Sequence, residues 1–130
     1  MPGNIREHPM RILVVDDEEE PRRRLSDLLQ SSGYVVMEAS SGREALAMLQ
    51  DEELDLVITD IVMPEMDGLE LVHRMKSEYP ALKAIVLSAS DYSQDGIFLK
   101  MAQVLGAAGA FKKSISAERL LEAVEAFGRR

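Results

Sequence analysis

The chain alternates between short runs of β-branched and other apolar residues and longer segments whose apolar residues recur at helical spacing. Alternation of this kind predicts βαβ units, and therefore a parallel sheet with helices packed on its faces. The pattern repeats five times and predicts an α/β fold of five strands and five helices. The predicted strands cover residues 11–15, 34–37, 56–60, 83–87 and 110–112.

Capping and breaking residues mark the limits of several predicted helices. The first helix is expected to begin at Pro21, because proline suits the first helical position, and to end at Gly33. The third helix is expected to begin near Asp67, a favourable residue at a helix N-terminus, and to stop at Pro80. The fourth helix has helical spacing before Gly106, and Gly96 weakens its first turn by about 1 kcal/mol relative to alanine.

Length, charge and composition narrow the class of protein. A chain of 130 residues fits one domain, which we place at residues 11–128 after an N-terminal tail at residues 1–10. The net charge of −8 disfavours direct nucleic-acid binding, and the absence of cysteine excludes disulfides and thiolate metal sites. No apolar stretch approaches the roughly 20 residues of a membrane span, and the N-terminus lacks the apolar part of a secretory signal. We therefore expect a cytoplasmic protein without membrane contact.

Polar residues follow four of the predicted strands at the point where each strand ends. The acidic run Asp16-Asp17-Glu18 follows the first strand, Asp60 ends the third, Ser88 follows the fourth and Lys113 follows the fifth. Alone, an acidic run is usually a solvated turn, and each of the other residues has an equally ordinary explanation. Because the carboxyl ends of parallel strands lie along one edge of an open sheet, these side chains are expected to converge. The sequence therefore predicts a functional site at that edge.

The same residues occur in an order and spacing that resembles the response-regulator receiver domain. The resemblance rests on Val15-Asp16-Asp17-Glu18, on Asp60 followed by Met63-Pro64-Glu65-Met66-Asp67-Gly68, and on Ser88-Ala89, Gly106-Ala107 and Lys113. It extends over residues 11–128, nearly the whole chain. It implies a doubly wound, flavodoxin-like and CheY-like sheet with the strand order 2-1-3-4-5.

The resemblance also implies a function for this chain in a two-component phosphorelay. Asp60 would be the phosphoacceptor, and the phosphoryl group would come from a histidine kinase or a histidine phosphotransfer protein. Because the single domain has no effector, the output would be a protein contact with a downstream target that the sequence does not identify. Catalysis would be confined to the phosphorylation of the chain itself and to hydrolysis of the acyl phosphate.

Carboxylates crowded around a phosphoryl group require a counter-charge, and the resemblance implies Mg²⁺. Asp17, Asp60 and the backbone carbonyl of Val62 would bind the ion, and Asp16 would act mainly through bound water. Lys113 would neutralise further charge on the transferred group, and the hydroxyl of Ser88 would bind a phosphoryl oxygen as the switch.

The adjacent pair of lysines leaves a choice, because strand alternation allows only one of them to face the site. We favour Lys113 over Lys112, since the spacing from Gly106-Ala107 then fits the family pattern. Beside the site, Arg22-Arg23-Arg24 is either an ordinary solvated helix face or a surface that steers an acidic partner.

Three departures from the family pattern concern the half of the domain that transmits the signal. Ala110 stands where the family usually has tyrosine or phenylalanine, and Ser114 stands where proline typically follows the lysine. The segment from Ser88 to Gly106 is also longer than usual. A second interpretation is therefore a receiver-fold binding module without phosphorylation-driven switching. A phosphohydrolase of the haloacid dehalogenase type is disfavoured, because Asp16-Asp17-Glu18 lacks its Asp-x-Asp pattern.

Overall fold

A computed structural model describes residues 9–89 and 94–128, except for the side chains of Gln94 and Asp95. Within these ranges, five strands alternate with five helices. The strands are β1 (Arg11–Val15), β2 (Val35–Ala39), β3 (Leu56–Asp60), β4 (Lys83–Ser88) and β5 (Gly109–Lys112). The helices are α1 (Glu19–Ser31), α2 (Gly42–Asp51), α3 (Gly68–Glu78), α4 (Gln94–Val104) and α5 (Ala117–Gly128). All strand pairs are parallel and the order is β2-β1-β3-β4-β5, so the expected topology is confirmed.

The central strands are buried on both faces, as expected for a parallel sheet that is covered by helices on each side. Because strand side chains alternate between faces, successive residues of β1, β3 and β4 enter two separate apolar clusters. One cluster joins the sheet to α2, α3 and α4, and includes Leu13, Val57, Leu71, Val86 and Ala102. The other joins it to α1 and α5, and includes Ile12, Leu29, Ile58, Ile85 and Val124.

Three element boundaries differ from the sequence predictions. Helix α1 begins at Glu19 rather than Pro21. The N–H groups of a first helical turn have no helical partner, so proline fits at several positions of that turn and does not mark its first residue. Strand β2 is shifted toward the C-terminus, since the backbone N–H of Tyr34 donates to Leu29 at the end of α1. Strand β5 begins at Gly109 rather than Ala110, whereas α4 includes Gly96 in its first turn as expected.

The two ends of the described chain pack together at the N-terminal edge of the sheet. Met10 is fully buried, and a Cβ atom at Gly128 would overlap its sulfur atom. Residues 1–8, which make up most of the predicted tail, lie outside the described residues. In the part of the chain that is described, no helix is both long and apolar enough to cross a bilayer.

Candidate functional site

Asp16 is the first residue after β1 and is fixed by four hydrogen bonds. Its backbone N–H donates to the carbonyl of Ala39 at 3.1 Å, and its carbonyl accepts from Nη1 of Arg22 at 2.9 Å. In the side chain, Oδ1 accepts from the backbone N–H of Glu18 at 3.0 Å, and Oδ2 accepts from Nζ of Lys113 at 2.8 Å. Asp16 is buried, whereas the neighbouring Asp17 is exposed. The acidic pair thus presents one fixed carboxylate and one that solvent reaches.

Asp60 is the last residue of β3, and its carboxylate is only 8% exposed. Its Oδ1 atom accepts a hydrogen bond from the backbone N–H of Ile61 at 2.9 Å. Burial raises the pKa of Asp60 to about 6; the Lys113 ammonium opposes this shift, and the carboxylates of Asp16 and Asp17 add to it. The isolated protein therefore holds Asp60 in an environment that disfavours its charge, and a further cation at the site would favour the carboxylate form.

The loop after Asp60 folds back onto the end of β3. Its closing residue, Gly68, donates its backbone N–H to the carbonyl of Ile61 at 2.7 Å. A Cβ atom at Gly68 would overlap the backbone carbonyl oxygen of Asp60, so only glycine fits here without a shift of the loop. The side chain of Asp67 caps α3 by accepting from the backbone N–H of Glu70 at 2.8 Å. The Asp-Gly pair therefore combines a helix cap with a close approach to Asp60.

The side chain of Lys113, rather than that of Lys112, contacts the acidic residues. Its Nζ atom lies 2.8 Å from Oδ2 of Asp16 and 3.7 Å from Oδ1 of Asp60, whereas Lys112 is exposed. Burial lowers the pKa of Lys113, but the hydrogen bond to Asp16 and the charges of Asp60, Asp16 and Glu18 outweigh it, so the net direction is upward. The ammonium group therefore stays charged between two buried carboxylates.

Ser88 and Val62 complete the set of predicted site residues. Ser88 is buried at the end of β4, and its backbone carbonyl accepts from the N–H of Lys113 at 2.6 Å. This bond joins the ends of β4 and β5 beside the acidic residues. Val62 lies two residues after Asp60, and its side chain is 71% exposed in spite of being apolar. The structure thus places all six predicted residues at the carboxyl edge of the sheet.

The donor set of this edge suits a hard divalent cation. One carboxylate oxygen each from Asp16, Asp17 and Asp60 can be chosen so that all three atoms lie within 4.8 Å of one another. An all-oxygen set of carboxylates, with room for water on the exposed Asp17 side, is the kind of site that Mg²⁺ takes. These residues therefore fit the ion that the sequence resemblance implies.

A cavity of about 390 Å³ opens beside the site between α1 and the segment that precedes α5. Asp60 and Lys113 lie at its polar end, and its apolar wall includes Leu25, Ile115 and Leu120. A larger cavity, of about 920 Å³, lies at the opposite edge of the sheet and includes none of the predicted site residues. The smaller cavity gives access to Asp16 and Asp60.

Sequence reasoning missed two residues that shape the site. Arg22 was considered only as part of an arginine run that is either solvated or steers an acidic partner, yet its guanidinium bonds the backbone of Asp16. Gly68 was noted only as part of the family motif, although a Cβ atom there would overlap the backbone of Asp60. Arg23 and Arg24 are exposed and form ion pairs with Glu19 and Glu20 one helical turn earlier. The position of Arg22 between Asp16 and Glu38 of β2 is a tertiary contact, which the sequence does not reveal.

Comparison with known proteins identifies the family. The model of the response regulator receiver domain matches residues 12–125. The chain belongs to this family. Receiver domains are parts of response regulators in two-component signalling, and the topology and site described above agree with that assignment.

Several relatives show how far the similarity extends. The chain is 42% identical over 83 residues to the response regulator MprA of Mycolicibacterium vanbaalenii, covering 64% of this chain and 36% of that protein. It is 34% identical over 120 residues to the alkaline phosphatase synthesis transcriptional regulatory protein PhoP of Bacillus subtilis, covering 92% of this chain and 49% of PhoP. The chain thus spans about a third to a half of the length of these two relatives.

A solved structure shows the same fold over nearly the whole domain. The chemotaxis protein CheY4 of Vibrio cholerae aligns with a TM-score of 0.79 and 33% identity, covering 92% of this chain and 98% of that one. The similarity to CheY4 therefore includes both the strand order and the length of the domain.

Proposed function

We propose that this receiver domain is a phosphoacceptor switch whose Asp60 receives a phosphoryl group from a histidine of a histidine kinase or phosphotransfer protein. The observation that carries the proposal is the position of the Lys113 ammonium group, 2.8 Å from Asp16 and 3.7 Å from Asp60. The exposed Asp17 lies close enough to share a cation with both carboxylates. This arrangement places a nucleophile, the ammonium group of Lys113 and the ligands for a cation at one point.

In the proposed reaction, a carboxylate oxygen of Asp60 attacks the phosphorus atom of the phosphohistidine. A P–O bond forms as the P–N bond breaks, and the histidine nitrogen leaves with the electron pair. The ammonium group of Lys113 stabilises the negative charge on the phosphoryl oxygens, and the hydroxyl of Ser88 donates a hydrogen bond to one of them. Catalysis here ends with the acyl phosphate and its hydrolysis, without a diffusible substrate of the usual kind.

Mg²⁺ would be held by Asp17, Asp60 and the backbone carbonyl of Val62, with Asp16 contributing mainly through water. When bound, the ion supplies a counter-charge for the phosphoryl group and for the carboxylates. The chain's own residues prepare for this role, since burial raises the pKa of Asp60 to about 6 and leaves its charge to be stabilised by a cation. The ionised carboxylate is the nucleophilic form, and a bound cation would favour this form further.

We propose that the output is a contact with a downstream protein. We place the protein in the cytoplasm and expect no direct contact with nucleic acid or membrane. The limits of residues 11–128 for the domain and 1–10 for the tail also remain predictions.

A binding module without phosphorylation-driven switching is the second candidate, and Ala110 is the observation that favours it. This half-buried residue of β5 packs near α4 without the aromatic ring that the family usually carries. Under this alternative, Asp60 would still accept a phosphoryl group, but the amide signals of α4 and β5 would stay unchanged. NMR spectra with and without beryllofluoride therefore separate the two candidates.

The acyl phosphate itself is tested with acetyl phosphate and Mg²⁺, followed by intact-mass measurement. We expect the wild type to gain the mass of one phosphoryl group only when Mg²⁺ is present, and Asp60→Asn to gain none. Asp67→Asn is the matched control, because it removes a nearby exposed carboxylate while asparagine preserves the cap of α3. An adduct of equal yield on Asp60→Asn would refute the assignment of the phosphoacceptor.

A further inference from the structure

We propose that Arg22 is a positioning residue that fixes the acidic loop for Mg²⁺ binding by joining the end of β1 to β2. This inference rests on the proposed function, since it concerns the same acidic site. Arg22 lies in the first half of α1, and its guanidinium bonds two different elements. Nη1 donates to the backbone carbonyl of Asp16 at 2.9 Å, and Nε donates to Oε1 of Glu38 at 2.8 Å.

The bond to the carbonyl of Asp16 determines the orientation of the next peptide. A peptide group is planar, so the direction of the Asp16 carbonyl also sets the direction of the Asp17 N–H and the path of the chain into Asp17. On the other side of Asp16, the backbone N–H is fixed by Ala39 at 3.1 Å. The exposed Asp17 is therefore held through its backbone. Arg22 fixes the peptide group on its N-terminal side, and the Glu18 N–H, which donates to Oδ1 of Asp16, fixes the one on its C-terminal side.

Glu38 holds the guanidinium in place. It lies on β2 opposite Val14 of β1, and its carboxylate pairs with Arg22 while both side chains are largely shielded from solvent. A charge-assisted bond of this kind is stronger than one between neutral groups and restricts the donor geometry. The guanidinium bonds its two partners through separate nitrogen atoms, an arrangement that a lysine with a single nitrogen does not reproduce.

Simple electrostatics and the proposed positioning role predict opposite outcomes for the loss of this arginine. Removal of a positive charge near three carboxylates should by itself strengthen the attraction for Mg²⁺. Loss of a residue that orients the ligands should weaken binding, and changes in such outer residues typically cost 10- to 100-fold in metal affinity. A lower affinity in Arg22→Gln would therefore not be explained by charge alone.

Arg23 provides the matched control. It lies next to Arg22 on α1 and approaches the same carboxylate, with its Nε atom 3.7 Å from Oε2 of Glu38, but its described ion pairs are only with Glu19 and Glu38. Arg23→Gln therefore removes the same charge near the same partner without removing a bond to Asp16. Its Mg²⁺ affinity should equal or exceed that of the wild type.

The experiment is a Mg²⁺ titration of ¹⁵N-labelled protein followed by NMR, with urea unfolding of each variant in parallel. We expect the dissociation constant to rise about 10-fold in Arg22→Gln and not to rise in Arg23→Gln. Arg22→Lys and Glu38→Gln should show smaller increases, because each preserves part of the hydrogen bonding. These two milder variants also provide the test if Arg22→Gln does not fold.

The inference would be overturned if Arg22→Gln bound Mg²⁺ as tightly as the wild type or more tightly. It would also be overturned if Arg23→Gln lost as much Mg²⁺ affinity as Arg22→Gln. If Arg22→Gln does not fold, wild-type affinity for Mg²⁺ in both Arg22→Lys and Glu38→Gln would overturn the inference. A wild-type protein that binds no Mg²⁺ would overturn the proposed function and this inference together. Wild-type binding with no effect of Arg22 would overturn this inference alone.

Discussion

The acidic edge of the sheet and the region of α4 and β5 are built in different ways. At the edge, buried charges are held by direct contacts, as shown by Lys113 between Asp16 and Asp60. In α4, by contrast, three apolar side chains are exposed, namely those of Ile97, Met101 and Val104. The first region has the contacts that the proposed phosphoryl transfer requires, whereas in the second Ala110 stands where we expected the aromatic ring of the family pattern.

From this difference we expect the proposed reaction and its transmission to depend on separate residues of the domain. A change at the acidic edge should alter the chemistry, because charge at a buried site is strongly coupled to its neighbours. A change in α4 should alter recognition more than stability, because exposed side chains make few contacts that folding requires.

Lys113→Gln should have the largest effect on the reaction. Loss of one preorganised group that stabilises developing charge typically costs about 100- to 1,000-fold in rate. We therefore expect phosphorylation of Asp60 by acetyl phosphate to slow by about 100-fold in this variant. The rate is measured by intact mass over time at saturating Mg²⁺. Lys112→Gln is the control, since its side chain is exposed, and slowing of both variants to the same extent would contradict the assignment of Lys113.

Asp60→Asn should stabilise the metal-free protein in a pH-dependent manner. A carboxyl group whose pKa is raised to about 6 by burial binds its proton more tightly in the folded state than in the unfolded state. Stability is therefore lost as the pH rises from about 4 through 6, and the asparagine variant does not suffer this loss. At pH 7 we expect the variant to be more stable by about 2 to 3 kcal/mol, and at pH 4 the gain should be small.

Urea unfolding in EDTA at both pH values measures this effect. Asp67→Asn is the control, since its carboxylate is exposed, and its difference from the wild type should change little with pH. Added Mg²⁺ should reduce the advantage of Asp60→Asn at pH 7, because the ion binds only the folded wild-type site. A stability difference for Asp60→Asn that is the same at pH 4 and pH 7 would show that the burial of its charge has no energetic consequence.

Ala110→Tyr should enlarge the response of the output region. In the wild type, we expect beryllofluoride with Mg²⁺ to shift the amide signals of α4 and β5 less than in receivers that carry an aromatic residue at this position. The added ring gives α4 and β5 a side chain that can change position when the site is occupied. Overpacking by the ring should lower the stability by about 1 to 3 kcal/mol. Large shifts in α4 and β5 of the wild type would contradict this expectation and would also exclude the second candidate function.

Val104→Ser should have the smallest effect. The side chain of Val104 is 85% exposed, so its replacement should change the free energy of unfolding by no more than about 0.5 kcal/mol. Val72→Ser on α3 is the matched control, because the same substitution there places a hydroxyl in a fully buried position. Urea unfolding compares the two, and a similar loss in both would mean that the exposed face of α4 contributes to the fold.

Much of the fold could be predicted from the sequence because strand periodicity and strand ends are local signals. The alternation of β-branched runs and helical segments predicted the parallel sheet, and the resemblance supplied the strand order. The polar residues at the strand ends converge as expected, since parallel strands end at one edge. Lys113 was preferred over Lys112 on spacing, and the structure places Lys113 against the acidic residues.

The remaining features depend on contacts between elements that are distant in the sequence. Pro21 predicted a helix start two residues late, because several positions of a first turn tolerate its missing N–H. The bond from Arg22 to Asp16 depends on how α1 packs near β2, and the requirement for glycine at position 68 depends on how closely the loop approaches Asp60. The spacing of residues along the sequence predicts neither the hydrogen bond of Arg22 nor the close approach of Gly68 to Asp60.

The most direct test of the central claim is a Mg²⁺ titration of the wild type and Asp17→Asn, followed by the amide signals of the ¹⁵N-labelled proteins. We expect the wild type to bind one ion, with the largest shifts at residues 16, 17 and 60–62, and Asp17→Asn to lose most of this affinity. Binding that is undiminished in Asp17→Asn, or shifts that cluster away from the carboxyl edge of the sheet, would contradict the proposal that these carboxylates hold the ion that phosphorylation requires.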